Sequence, residues 1–127
     1  MIGLDTNVLI RYLLRDDETQ AQIAKRIIEA HEEIVISLLT IQETEWVLRS
    51  CAKLDKLLII SLFKALLETY NIRIQAEDVL EQALLTFENC NADFSDCLMI
   101  AQYRQMGCES MVTFDQKAAR IDGAVLL

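Results

Sequence analysis

No proline occurs anywhere in these 127 residues, and there are only three glycines and a single histidine. Without proline or a Gly/Ser-rich tract nothing marks a linker, so the chain is expected to be one domain over 1–127, long enough to bury a core. No internal repeat or low-complexity segment occurs. Three glycines leave little room for a phosphate-cradling loop, and neither GxxxxGKS/T nor GxGxxG is present. The lone histidine, His31 in EAHEE, lies near a predicted helix end and reads as a surface residue, which removes Ser/His/Asp and Cys/His triads. The four cysteines, Cys51, Cys90, Cys97 and Cys108, form no CxxC pair. A Cys/His zinc site is therefore not expected, and the thiols read as reduced and mostly buried.

Long apolar runs are also missing. The most apolar stretch, KLLIISLFKALL at 56–67, is too short to cross a bilayer and carries Lys56 and Lys64. No basic segment leads into a long apolar run at the N-terminus, so no signal peptide is read and the expected location is cytoplasmic. Basic residues are scarce: 12 Lys and Arg face 20 Asp and Glu, a net charge of −8. That balance runs against the basic face usual in nucleic-acid binders. It is softened if several acids hold cations and if substrate contact is transient.

What is there is a regular alternation. Strands are predicted at 2–5, 34–37, 71–74, 111–114 and at the closing AVLL. Helices are predicted at about 7–15, 18–31, 38–51, 55–69, 77–89 and 94–106, with Gly107 ending the last, and a short one at 116–120. Short apolar strands between amphipathic helices predict an α/β fold with a mostly parallel central sheet flanked by helices. Ligands in such sheets bind beyond the carboxyl ends of the strands. Asp5 follows the first strand and Asp115 follows VTF, so the two are expected to meet at one sheet edge.

Two further acids fall on helices. At 100° per residue Glu43 shares a side with Leu39, Trp46 and Val47, whereas Glu45 and Arg49 pair on the opposite, solvated side. An unpaired carboxylate on an apolar face is costly and calls for a basic partner or a cation, although an acid at a helix edge also reaches water. In ADFSDCLMIAQY, Asp93 is placed to cap the helix, and Asp96 shares a face with Met99, Ile100 and Tyr103, which are expected to point inward. The expectation is therefore capping for Asp93 and a pocket role for Asp96. Each acid has an ordinary reading as well, since Asp5 or Thr6 could cap the first helix and Asp115 the short one at 116–120. Four such coincidences are harder to accept than one.

Oxygen donors without His or Cys suit Mg²⁺ or Mn²⁺. The chemistry that fits is phosphodiester hydrolysis by metal-activated water, with one or two ions left open. Thr6, Asn7, Asp93 and Thr113 stand beside the acids as supporting groups. Arg11, one turn after Asn7, is placed to meet a substrate phosphate or simply to lie in solvent.

These same residues resemble the PIN-domain ribonucleases, and within them the VapC-type toxins of toxin–antitoxin pairs. LDTNVLIRYL is similar to the family's first motif, TIQETEWVLR to the second, DFSDCLMIAQYRQMGC to the third and VTFDQKAAR to the last. The resemblance spans nearly the whole chain and implies a PIN-like three-layer fold. It also implies Mg²⁺- or Mn²⁺-dependent endonucleolysis of RNA, with Asp5, Glu43, Asp96 and Asp115 as catalytic metal ligands. A homodimer and a cognate antitoxin follow from the same resemblance, and the dense apolar helix at 56–67 is compatible with either contact. Two other classes remain: an acidic-pocket phosphatase or phosphotransfer domain, which would use Lys117 but lacks DxDxT/V after the first strand, and a catalytically silent PIN-like binding module.

Overall fold

Short apolar segments become strands, and side-chain caps start three of the helices between them. A computed structural model describes all of Met1–Leu127, in two compact units, Met1–Ala76 and Glu77–Leu127. The first unit runs β1 (Ile2–Gly3), α1 (Thr6–Leu14), α2 (Glu18–Ala30), β2 (Ile34–Ile36), α3 (Leu38–Ser50), α4 (Lys56–Glu68) and β3 (Ile72–Ile74). Its three strands are parallel in the order β1-β2-β3, with Ile2 opposite Ile34 and Ile34 opposite Ile72. Parallel neighbours need crossovers, which the intervening helices supply. The carboxylates of Asp17 and Asp55 and the hydroxyl of Ser37 accept the amides of Gln20, Leu58 and Thr40, satisfying donors that the first turns of α2, α4 and α3 leave open. Buried Asn71 ties the start of β3 to the end of α2, donating from Nδ2 to the carbonyls of Ile28 and His31 at 2.8 and 3.0 Å.

The core of this unit is aliphatic: Leu9, Ile34, Ile36, Ile41, Leu48, Ile59, Phe63 and Leu66 are fully or almost fully buried. Each such side chain contributes roughly 1.5–3 kcal/mol by leaving water. On α4 only Ile59, Ile60, Phe63 and Leu66 are buried, while Leu57 and Leu58 face solvent, so one stripe of this all-round apolar helix is used.

The second unit is a helical hairpin followed by a small parallel ladder: α5 (Glu77–Glu88), α6 (Phe94–Gln105), β4 (Met111–Thr113), a 3₁₀ turn (Ala118–Arg120) and β5 (Ala124–Leu126). Phe87 and Phe94 pack edge-to-face across the hairpin, ring centroids 5.4 Å apart. Gly107 ends α6 at φ +90°. Gly123 enters β5 at φ +102°, a backbone conformation that favours glycine. β4 and β5 pair in parallel, Met111 with Ala124 and Thr113 with Leu126.

Helices and strands fall within a residue or two of the predicted bounds, and every strand pair is parallel. Three expectations are corrected. The strands form a three-stranded and a two-stranded ladder, so β1 and β4 do not share a sheet edge. On α3 the inward stripe is Leu38, Ile41, Thr44, Glu45 and Leu48, while Leu39 and Trp46 are 67% and 55% exposed. Glu45, expected in solvent, is only 2% exposed, because Arg49 Nε donates to its Oε2 at 2.9 Å and neutralises it. On α6, Met99 and Tyr103 turn outward, since Phe94, Cys97, Leu98 and Ala101 form the i, i+3, i+4, i+7 stripe. The thiols differ too: Cys97 is buried and Cys90 half-buried, but Cys51 at the end of α3 and Cys108 beyond Gly107 are exposed. No helix is long and apolar enough to cross a membrane.

Candidate active site

The predicted site residues fall into two groups, one in each unit. In the first, β1 delivers Asp5 to the start of α1, where its backbone carbonyl accepts the amides of Val8 and Leu9 at 3.1 and 3.2 Å. Asp5 thus occupies the N-cap position with extended backbone, yet its carboxylate caps nothing and is exposed. The next residue, Thr6, is buried, and its Oγ1 donates to Glu43 Oε2 at 2.7 Å. This bond links the first turn of α1 to the middle of α3, and a separation of 37 residues gave no sign of it in the sequence. It fixes an exposed carboxylate that the helical wheel had turned inward.

Asp5, Asn7 and Arg11 line one open groove of about 450 Å³, floored by Ile2, Val8, Ile23 and Ile27. The Arg11 guanidinium is engaged with Asp16, Nη1 to Oδ1 at 3.0 Å. A solvent-facing pair of this kind is worth little, so Arg11 is exchangeable toward an incoming anion.

In the second unit Asp93, Asp96 and Asp115 line a pocket of about 330 Å³ together with Gln116 and Lys117. Asp93 stands at the N-cap of α6 but, contrary to the capping role expected of it, makes no side-chain cap bond. Asp96 lies one residue before buried Cys97, and its carboxyl is held above the usual range, first by partial burial and then by the charges of Asp115 and Asp93. Asp115 does serve as a cap: its Oδ1 accepts the Ala118 amide at 2.8 Å, leaving Oδ2. Its own amide donates to Thr113 Oγ1 at 3.0 Å, so the predicted hydroxyl holds the turn that presents the acid. Gln116 was missed by sequence reasoning, its only signal being adjacency to Asp115.

No three His, Cys, Asp or Glu side chains are gathered tightly enough to form a closed coordination set. A hard cation such as Mg²⁺ needs no such cage, being held through one or two carboxylates with several waters. Three carboxylates on one pocket, with neither imidazole nor thiolate lining it, fit that kind of ion and not zinc.

The PIN domain family profile matches residues 2–124, and the chain belongs to that family. Among solved structures it is similar to the Mycobacterium tuberculosis toxin VapC20, described as cleaving the sarcin–ricin loop. The identity is 19% and the TM-score 0.45, with 94% of each chain covered. It is also similar to a chain of a toxin–antitoxin complex from Klebsiella pneumoniae, with 23% identity, a TM-score of 0.37, and coverage of 98% of this chain and 94% of that one. No curated protein sequence matches it.

Proposed function

We propose that this PIN-family chain is a divalent-metal-dependent endoribonuclease, and that it acts as the VapC-type toxin of a toxin–antitoxin pair, partnered by a cognate antitoxin and by a second copy of itself. The observation that carries the activity is the convergence of Asp93, Asp96 and Asp115 on one pocket, with the Asp96 carboxyl raised by partial burial and then by its acidic neighbours. Repelling carboxylates cost stability unless a cation joins them. Asp5, Glu43, Asp96 and Asp115 are the residues that would hold Mg²⁺ or Mn²⁺. When bound, such an ion lowers the pKa of a water and stabilises charge developing on a phosphate. The chain's own groups do the positioning: Thr6 holds Glu43 through its 2.7 Å bond, Thr113 steadies the turn carrying Asp115, and Asn7 and Arg11 offer donors to RNA phosphates beside Asp5.

The test is cleavage of a mixed RNA pool by purified protein with Mg²⁺ or Mn²⁺ and with EDTA, beside an Asp5→Asn variant purified identically. Metal-dependent cutting that is lost in the variant is the expected result. Equal cutting by both preparations, or none of any RNA, overturns the proposal.

A further inference from the structure

The α5–α6 connection carries a second chemical feature. Cys90, half-buried after α5, places its Sγ 3.6 Å from the Sγ of Cys97, which is 1% exposed in the second turn of α6. The eight residues from Cys90 to Cys97 enclose Asp93 and Asp96, the two acids of this segment that line the pocket. A disulfide has its sulfurs about 2.05 Å apart, so roughly 1.5 Å of approach separates this pair from a bond. The approach falls on the irregular segment between the helices, where Cys90, Asn91 and Ala92 lie outside regular structure and Asp93 is the N-cap of α6.

We infer that Cys90 and Cys97 form a peroxide-driven, reversible disulfide that regulates the pocket containing Asp93 and Asp96. The more accessible Cys90 thiol reacts first: it is oxidised by one peroxide to a sulfenic acid while the peroxide is reduced to water. The Cys97 thiol then attacks that sulfur, forming the S–S bond and releasing a second water. Two thiols lose two electrons and two protons in all, and a dithiol reductant returns them. Closing the ring draws the Cys90–Ala92 segment toward α6 and shifts Asp93, at its junction with the helix, relative to Asp96. Cys51 and Cys108 lie exposed at other places in the chain and have no part in the ring.

The site itself is independent of the proposed nuclease activity, whereas its regulatory consequence rests on that reading, so the test has two arms. In the first, the full chain and a Cys51→Ser/Cys108→Ser version are treated with hydrogen peroxide, alkylated and mapped by mass spectrometry. A Cys90–Cys97 crosslink two mass units lighter than the dithiol, reversed by dithiothreitol and absent in Cys90→Ser, is expected. Alkylation of both residues after treatment, or over-oxidation of Cys90 without a crosslink, overturns the site. In the second arm Mn²⁺-dependent RNA cleavage by the oxidised double-serine chain is expected to fall about ten-fold, since displacement of reacting groups by an ångström costs at least that much. Recovery with dithiothreitol, and no peroxide effect in Cys90→Ser, complete the expected result. A crosslinked chain that cleaves RNA as fast as the reduced one overturns the regulatory role while leaving the disulfide standing. Circular dichroism of Cys90→Ser keeps a folding defect from passing for either outcome.

Discussion

The two units handle their acids in opposite ways. In the first, Glu43 is exposed and accepts a hydrogen bond from the Thr6 hydroxyl, while two residues on, Glu45 is buried against Arg49. Glu43 and Glu45 each have a donor of their own. In the second unit Asp96 is partly buried with two other carboxylates as neighbours, and burial first and their charges second raise its carboxyl. A carboxylate with a protein donor serves the fold or is held in position by it. One surrounded by its own kind is unfavourable in the isolated chain and becomes favourable once a cation arrives.

The sharpest way to break that contrast is Asp96→Asn. RNA cleavage should drop at least about 100-fold, since even groups that only orient metal ligands cost 10–100-fold. Without metal, the same variant should unfold at a higher temperature than the parent at pH 7. The sign follows from the raised carboxyl: its stabilising contribution is fully present below the unfolded value of 3.8 and is lost as pH rises through the folded one. The advantage of Asn should therefore shrink toward pH 4 in paired melting curves. A variant less stable than the parent at pH 7, or a gap that widens as pH falls, would contradict the like-charge account.

A smaller effect is expected at the other pole. Thr6→Val removes the donor to Glu43 and should lower cleavage about ten-fold, with about 1 kcal/mol lost from the fold. Steady-state kinetics and urea melts of the same preparation separate these two numbers. Full activity in the variant would show that Glu43 needs no orientation. The smallest functional effect belongs to Arg49→Ala, which strands buried Glu45 and should cost about 1–3 kcal/mol in denaturant melts while leaving cleavage per folded molecule unchanged. The half-exposed guanidinium keeps the loss below that of a fully buried pair. A large fall in specific activity would move Glu45 from the fold to the site.

The faces of α3 and α6 show where sequence reasoning stops. Both helices were legible, because each carries apolar residues at helical spacing and α6 has Asp93 at its N-cap position as well. Their orientations were not. On α3 the apolar count favours Leu39, Trp46 and Val47, yet the buried stripe includes a glutamate, because an arginine four residues on makes its burial tolerable. On α6 both Met99 and Cys97 are plausible core residues, and only packing chose Cys97. The acids Asp5, Glu43, Asp96 and Asp115 were singled out because burial was expected around them, yet the structure leaves Asp5, Glu43 and Asp115 exposed and places them through partners that the sequence did not reveal.

By itself the sequence determined the order, type and approximate bounds of the elements, the parallel character of the strands and the resemblance to PIN domains. The elements rest on local periodicity and composition and the resemblance on four short motifs, all of which are local to a few residues. Tertiary structure alone decided that the strands form two ladders, that Thr6 reaches Glu43 across 37 residues, that Asp115 raises Asp96 and that Cys90 meets Cys97. The last three are through-space encounters at distances of a few ångströms. Hydrogen bonds, charge repulsion and thiol chemistry depend on such distances and are blind to separation along the chain.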